Sequence, residues 1–232
     1  MSLEMSTKSK DPKRMHSKNL LIAACLFTGI CLGVTVSPGE TSQPMLSQNV
    51  PSQRVQPRNQ GRDLSQLAIN AQDLPPEFQA MPPEELLKLK QELGQEDFPV
   101  GSLFAFAEPN NFELLLGMTT ALKNQQEQSD FEAILASPES LQRLMTEGMG
   151  GTQIIQQTPL RLENIGQAVA GVNLKLNLEG VPANLDIVAF RRDAVGAFVF
   201  LLYLEGQTPR MPIANLAQIL DRRAQGILAA PN

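Results

Sequence analysis

Tryptophan is absent from this chain, and histidine and cysteine nearly so. Of 232 residues, one is histidine (His16), one is tyrosine (Tyr203) and two are cysteine (Cys25 and Cys31). Beyond residue 31 there is neither histidine nor cysteine. That excludes from the rest of the chain a Ser-His-Asp or Cys-His nucleophile, a zinc site built on His or Cys, histidine-ligated haem and a disulfide framework. With no tryptophan and one tyrosine, a sugar-stacking cleft has little to be built from. No Gly-x-Gly-x-x-Gly follows a strand pattern, and no glycine loop ends in Gly-Lys-Ser/Thr. No motif implies a cofactor.

Basic charge is scarce outside the N-terminus. The chain carries 19 Lys and Arg against 24 Asp and Glu. Residues 1–36 hold five of the bases (Lys8, Lys10, Lys13, Arg14, Lys18) and two of the acids (Glu4, Asp11), which leaves 14 against 22, a net −8, for residues 37–232. A nucleic-acid binder shows a basic face, so nucleic acid is not an expected partner.

Charge is missing altogether from Leu20 to Val36, an apolar run directly behind the basic stretch. At 17 residues it is at the short end for a membrane-spanning helix and just longer than a signal-peptide core. The charge asymmetry places the N-terminus in the cytoplasm and residues 37 onward on the exported side. That side is a periplasm, a thylakoid lumen or the cell exterior. The cleavage signal is poor: Ser37-Pro38-Gly39 before Glu40 is the best small-residue site, and Pro38 opposes a cut after Ser37. A retained single-pass anchor is therefore the expectation, with a cleaved and secreted form as the alternative. A start at Met15 would favour cleavage. Ile22-Ala23-Ala24-Cys25 has the form of a lipobox, but only Leu20 and Leu21 precede it in the apolar run.

Residues 37–63 are a Ser/Gln/Pro-rich tether, 13 of 27 positions being one of those three. Such a segment buries too little to offset its ordering entropy, and as a coil it spans roughly 30 Å. Residues 64–97 read as a short helical segment. The related phrases Leu74-Pro75-Pro76-Glu77-Phe78 and Met81-Pro82-Pro83-Glu84-Glu85-Leu86 suggest two helix starts in a row. The second helix has Pro83 in its first turn and stops at Gly94.

A globular domain is expected over residues 98–232. Ser102–Ala107 and Phe112–Gly117 form a hairpin around the turn Glu108-Pro109-Asn110-Asn111. A helical region runs from about Asp130 to Met149, restarted at Ser137-Pro138. Four strands follow: Gln153–Leu162, one centred on the alternation Val172 to Leu178, Leu185–Arg191, and Ala194–Leu204. The last is apolar on both faces and so should be central. Ile213–Leu228 closes the chain as an amphipathic helix. The fold class is α+β: an antiparallel sheet of about six strands covered by helices, behind a membrane segment and a flexible linker.

Two groups of side chains offer chemistry. Carboxylates at Glu108, Glu113, Glu163, Asp186 and Glu205 would need two members facing each other at about 5–10 Å to act as a hydrolytic pair. Arg191 and Arg192 sit between two apolar strands. They read either as a partner or anion contact or as a charged hairpin tip in water. In the second case replacing both with Ser changes stability by less than about 0.5 kcal/mol. Met118, Met145, Met149 and Met211 fill core gaps or line a soft pocket.

The phrase Asn184-Leu185-Asp186-Ile187-Val188-Ala189-Phe190-Arg191-Arg192, the apolar strand after it and the closing helix with Arg222-Arg223 resemble a pattern in uncharacterised bacterial envelope proteins. The element order over about residues 98–229 is similar to PsbP/Mog1-like α+β domains, some of which are photosynthetic lumenal or secreted proteins. The resemblance implies a binding or assembly module without catalysis, and it carries no site residue. The expected function is thus a non-catalytic protein-binding module, membrane-attached through Leu20–Val36. A small apolar or lipid ligand is the first alternative, and a carboxylate hydrolase the second.

Overall fold

Period-two alternation governs the strands, and both of its faces are buried. The computed structural model describes residues 64–93, 100–137, 139–141 and 152–229. The N-terminal basic stretch, Leu20–Val36, the 37–63 tether, the glycine cluster at 148–151, Met145 and Met149 lie outside the described residues. No helix among the described residues is long and apolar enough to cross a membrane.

Seven strands form one antiparallel sheet: β1 (Gln79–Ala80), β2 (Val100–Glu108), β3 (Glu113–Ala121), β4 (Gln153–Pro159), β5 (Ala168–Leu178), β6 (Val181–Arg192) and β7 (Val195–Leu204). Their order is β1-β2-β3-β7-β6-β5-β4. The last four strands are a meander running inward from one edge, and β7 closes the sheet against β3. The all-apolar run Val195–Leu204 is the central strand, as its two-sided burial requires. Tight turns join β5 to β6 and β6 to β7. Glu179 and Gly180 both have positive φ (51° and 96°), as a two-residue hairpin of the primed type demands.

Helices cover both faces. Helix α3 (Ile213–Ala229) lies on β6 and β7. Its buried stripe is Ile213, Leu216, Ala217, Leu220, Asp221 and Ala224, and it packs with Phe104, Phe106, Leu115, Val188, Phe190, Val199 and Leu201. Helix α2 (Gln125–Leu135) lies on β5 and β6 over the other face. There Phe131 and Leu135 meet Val172, Leu174, Leu185, Ile187, Ala189 and Phe198. Helix α1 (Pro83–Leu93) rests against β2.

Three sequence expectations change. Helix α2 begins at Gln125 instead of Asp130, because Asn124 accepts from the Glu127 N–H and the Glu127 carboxylate accepts from the Lys123 N–H. These capping hydrogen bonds lie ahead of the first apolar residue, so apolar periodicity alone misses them. The first Pro-Pro phrase is no helix start. It follows two 3-10 turns (Leu64–Leu67 and Ala71–Asp73) and enters β1, a seventh strand that pairs with β2. Finally, a start of the globular part near Phe98 omits residues that the core contains: Leu64, Leu67, Ile69, Leu74 and Phe78 are all buried in it. Isolated apolar residues in a polar segment show no period, yet each fills a place under α3 or beside β2.

Two strand glycines make room for rings. Gly117 stands opposite Phe104, whose ring would lie 2.0 Å from any Cβ there. Gly196 lies under Phe131 in the same way, at 2.8 Å.

Candidate functional site

The arginine pair is used inside the fold. Both residues belong to β6, so they point to opposite faces of the sheet. Arg191 bonds the Glu132 carboxylate of α2 through Nε at 2.9 Å, and also Gln167 Oε1 and the Asp193 carbonyl. Arg192 grips Asp221 of α3 with Nε at 2.7 Å and Nη2 at 2.5 Å, and the pair raises the guanidinium's already high pKa further. Each arginine therefore fastens one helical layer to the sheet. Side chains held free in water at a hairpin tip are not what the structure shows. The turn itself is Asp193-Ala194, one step further on. Arg223 makes a third such tie, to Asp73 at 2.7 Å and to the Ala68 carbonyl, and pins the N-terminal segment to α3.

Of the five carboxylates, four are brought to one end of the sheet. Glu108 ends β2, Glu113 begins β3, and they are direct cross-strand partners. Both are on the α3 face, in phase with Phe106 and Leu115. Tyr203, Asn184, Asp186 and Asn173 continue this row across β7, β6 and β5, with Asn184 opposite Tyr203 and Asn173 opposite Asp186. Glu205, just past β7, pairs with Lys175 at 3.1 Å. Glu163 is exposed in the β4–β5 connection and does not join them.

Glu108 and Glu113 are 0 % and 2 % exposed. Glu113 accepts from the Arg210 N–H on both oxygens, at 3.0 and 3.1 Å, and from the Asn111 amide. It thereby holds the β7–α3 connection down on the sheet. Glu108 accepts from the Asn110 N–H at 3.0 Å through Oε1, while its Oε2 is buried with no donor. Gln207 Oε1, in the same connection, is buried without a donor too. These two acids are cross-strand neighbours, and both are sealed from solvent.

Asp186 accepts from Asn173 Nδ2 at 2.6 Å and from the Tyr203 hydroxyl at 3.4 Å. Burial raises its pKa, and the two hydrogen bonds only partly offset this. Tyr203 is pushed up to about 12 by burial first and then by the neighbouring charge of Asp186. The phenol thus stays a hydrogen-bond donor well above neutral pH.

Beyond the row, the β2–β3 turn carries Phe112, 65 % exposed with a left-handed φ of 50°. Val181, at the neighbouring β5–β6 turn, is exposed as well. Sequence reading placed Phe112 in the strand; a bulky residue in the left-handed region has no signal in composition or period. The described chain begins at the opposite end, where Leu64 packs with Leu67, Val195 and Ala224. The nine residues of β2 separate the two ends by roughly 30 Å. Of the four methionines singled out in the sequence, the two among the described residues lie apart: Met118 packs on the α2 face and Met211 on the α3 face. Among known proteins, no family model matches the chain and no curated protein sequence matches it.

Proposed function

We propose that the domain is a non-catalytic binding or assembly module, held on the exported side of a bacterial envelope membrane by Leu20–Val36, which engages a protein partner through the end of the sheet that bears Phe112. The observation that carries this reading is Phe112 itself. A non-glycine residue in the left-handed region costs of order 1–3 kcal/mol, which the surrounding structure must over-determine. An aromatic ring exposed to water at that position adds a further cost that Asn or Gly would avoid. The ring also stands at the end furthest from where the tether joins, which suits presentation to a partner away from the membrane.

The test is site-specific photocrosslinking in native membranes. A photoreactive residue at position 112 should give a discrete protein adduct that the same residue at Leu87, also apolar and exposed, does not give. Equal labelling at both positions, or none, would remove Phe112 from the interface. Fractionation with N-terminal sequencing tests the anchor, since a soluble form beginning near Glu40 leaves export alone.

A second reading rests on a different surface. On the α2 face, Leu114, Leu116, Met118 and Phe200 of β3 and β7 are only half-buried. That strip supports the small apolar or lipid ligand as the alternative. Saturable binding of a fluorescent fatty acid, lost in Leu116→Glu, would favour it.

A further inference from the structure

On the α3 face of β5, β6 and β7 the sheet has a polar floor. Asn184 and Asp186 are two apart on β6, so both point to this face, about 7 Å from each other along the strand. They are 9 % and 7 % exposed. The register fixes what surrounds them. Asn184 lies between Tyr203 of β7 and Lys175 of β5, and Asp186 is opposite Asn173 of β5. These three neighbours are half-buried, and Glu205, bonded to Lys175, is exposed. A buried amide and a buried carboxylate thus lie beneath a rim that meets water.

Both floor groups have hydrogen-bonding capacity left over. The Asn184 side chain forms no hydrogen bond among the described residues, although the residue is more than nine-tenths buried. A buried amide is ordinarily satisfied. Asp186 receives one short bond, from Asn173 at 2.6 Å, and one long one, from Tyr203 at 3.4 Å. A carboxylate has about four acceptor positions. Among the described residues no lysine or arginine forms an ion pair with Asp186, and Lys175 is turned to Glu205 instead, at 3.1 Å.

Charge complementarity selects the occupant. It must be cationic, donate in several directions at once and lie flat beside a ring. A guanidinium has five donors in a planar fork, takes carboxylates bidentately and stacks on aromatic faces. An ammonium is a compact, more strongly hydrated charge with three donors. A neutral polyol would satisfy the amide and leave the carboxylate unbalanced. A metal ion lacks ligands here, since no group of three or more His, Cys, Asp or Glu suited to one exists among the described residues. We propose that Asn184 and Asp186, flanked by Tyr203, form a recognition site for an arginine side chain presented by a protein partner. The guanidinium donates to the open positions of Asp186 and to Asn184 Oδ1. The site lies at the end of the sheet that bears Phe112, so it deepens the docking reading and rests on it for the partner being a protein.

Tyr203 is the chain's one tyrosine and there is no tryptophan, so intrinsic fluorescence reports on this site. Full-length protein in a non-aromatic detergent, at neutral pH and constant ionic strength, is titrated with Nα-acetylarginine methylamide. The same derivative of citrulline, which keeps the shape and removes the charge, is the comparison. We expect a saturable change with a Kd of about 1 mM for arginine and at least roughly tenfold weaker binding of citrulline. Isothermal calorimetry gives the affinities of variants independently of the tyrosine signal. Asp186→Asn should bind arginine at least roughly tenfold more weakly with a Tm no lower than the parent's, and Asn184→Ala should also bind more weakly. Equal affinity for the two derivatives overturns the proposal without need of a variant. So does an affinity unchanged in folded Asp186→Asn, or no saturation by roughly 20 mM arginine derivative. Crosslinking from position 112 is read separately. An adduct there without arginine binding removes this site and leaves the docking reading, whereas arginine binding without the adduct keeps the site and loses Phe112.

Discussion

Arg192→Ala should unfold this domain far more readily than Arg191→Ala, although the two are neighbours in sequence. The Arg192 partner, Asp221, is 2 % exposed and receives both guanidinium contacts. Truncating the arginine leaves a buried carboxylate with the Gln225 amide at 3.0 Å as its remaining side-chain donor. Breaking a fully buried pair from one side costs about 3–5 kcal/mol. The Arg192 side chain keeps 20 % of its surface in water, and Gln225 stays in place, so we expect about 2–4 kcal/mol. The Arg191 partner, Glu132, keeps 45 % of its side-chain surface exposed, and a pair so open to solvent contributes about 1 kcal/mol at most. Urea unfolding followed by far-UV circular dichroism gives both values from the midpoint and slope. In the double variant Arg192→Met, Asp221→Leu much of the loss should return, because no charge is left buried alone. Equal effects of the two single substitutions, both within about 0.5 kcal/mol of the parent, would refute the reasoning. The guanidinium groups would then lie in water, and the hairpin-tip reading of the sequence would stand.

Two further outcomes follow from the site and the sheet. Tyr203 should ionise near 12, against an ordinary value of 10.0, when followed by phenolate absorbance, with no other tyrosine or tryptophan to obscure it. Both Tyr203 and Asp186 are raised in the folded state, so each adds stability that is full below its unfolded value and is lost as pH rises through its folded one. Asp186→Asn should therefore stabilise the domain at neutral pH and bring the phenol back towards 10; an unmoved phenol titration in that variant would count against the coupling. Gly117→Ala should cost about 1–3 kcal/mol, because the new methyl group falls within the Phe104 ring. Gly117→Ala combined with Phe104→Leu should recover part of the loss in the same urea assay, and no recovery would mean that the glycine is needed for some other reason.

Local patterns by themselves determined much of this protein. The alternation Val172 to Leu178 made β5, the two-sided apolar run made β7 central, and the 3.6-residue stripe from Ile213 made α3. Each is a local rule: one segment's side chains state which of its faces avoids water. The absence of histidine and cysteine beyond residue 31 likewise bounded the chemistry without any coordinates. What tertiary structure alone decided is who meets whom. Glu108 and Glu113 are five residues apart and read as turn and strand residues, and only the β2–β3 register makes them cross-strand neighbours. Asp186 and Tyr203 come together because β7 returns beside β6. Arg191 and Arg192 are adjacent letters, but the pleat sends them to opposite faces, and partners 59 and 29 residues away decide that both are structural ties. Leu64 and Phe78, in a segment with no period, belong to the core because other elements leave room for them. Contacts between distant residues depend on register and on the closing of long loops, and no window of sequence contains either.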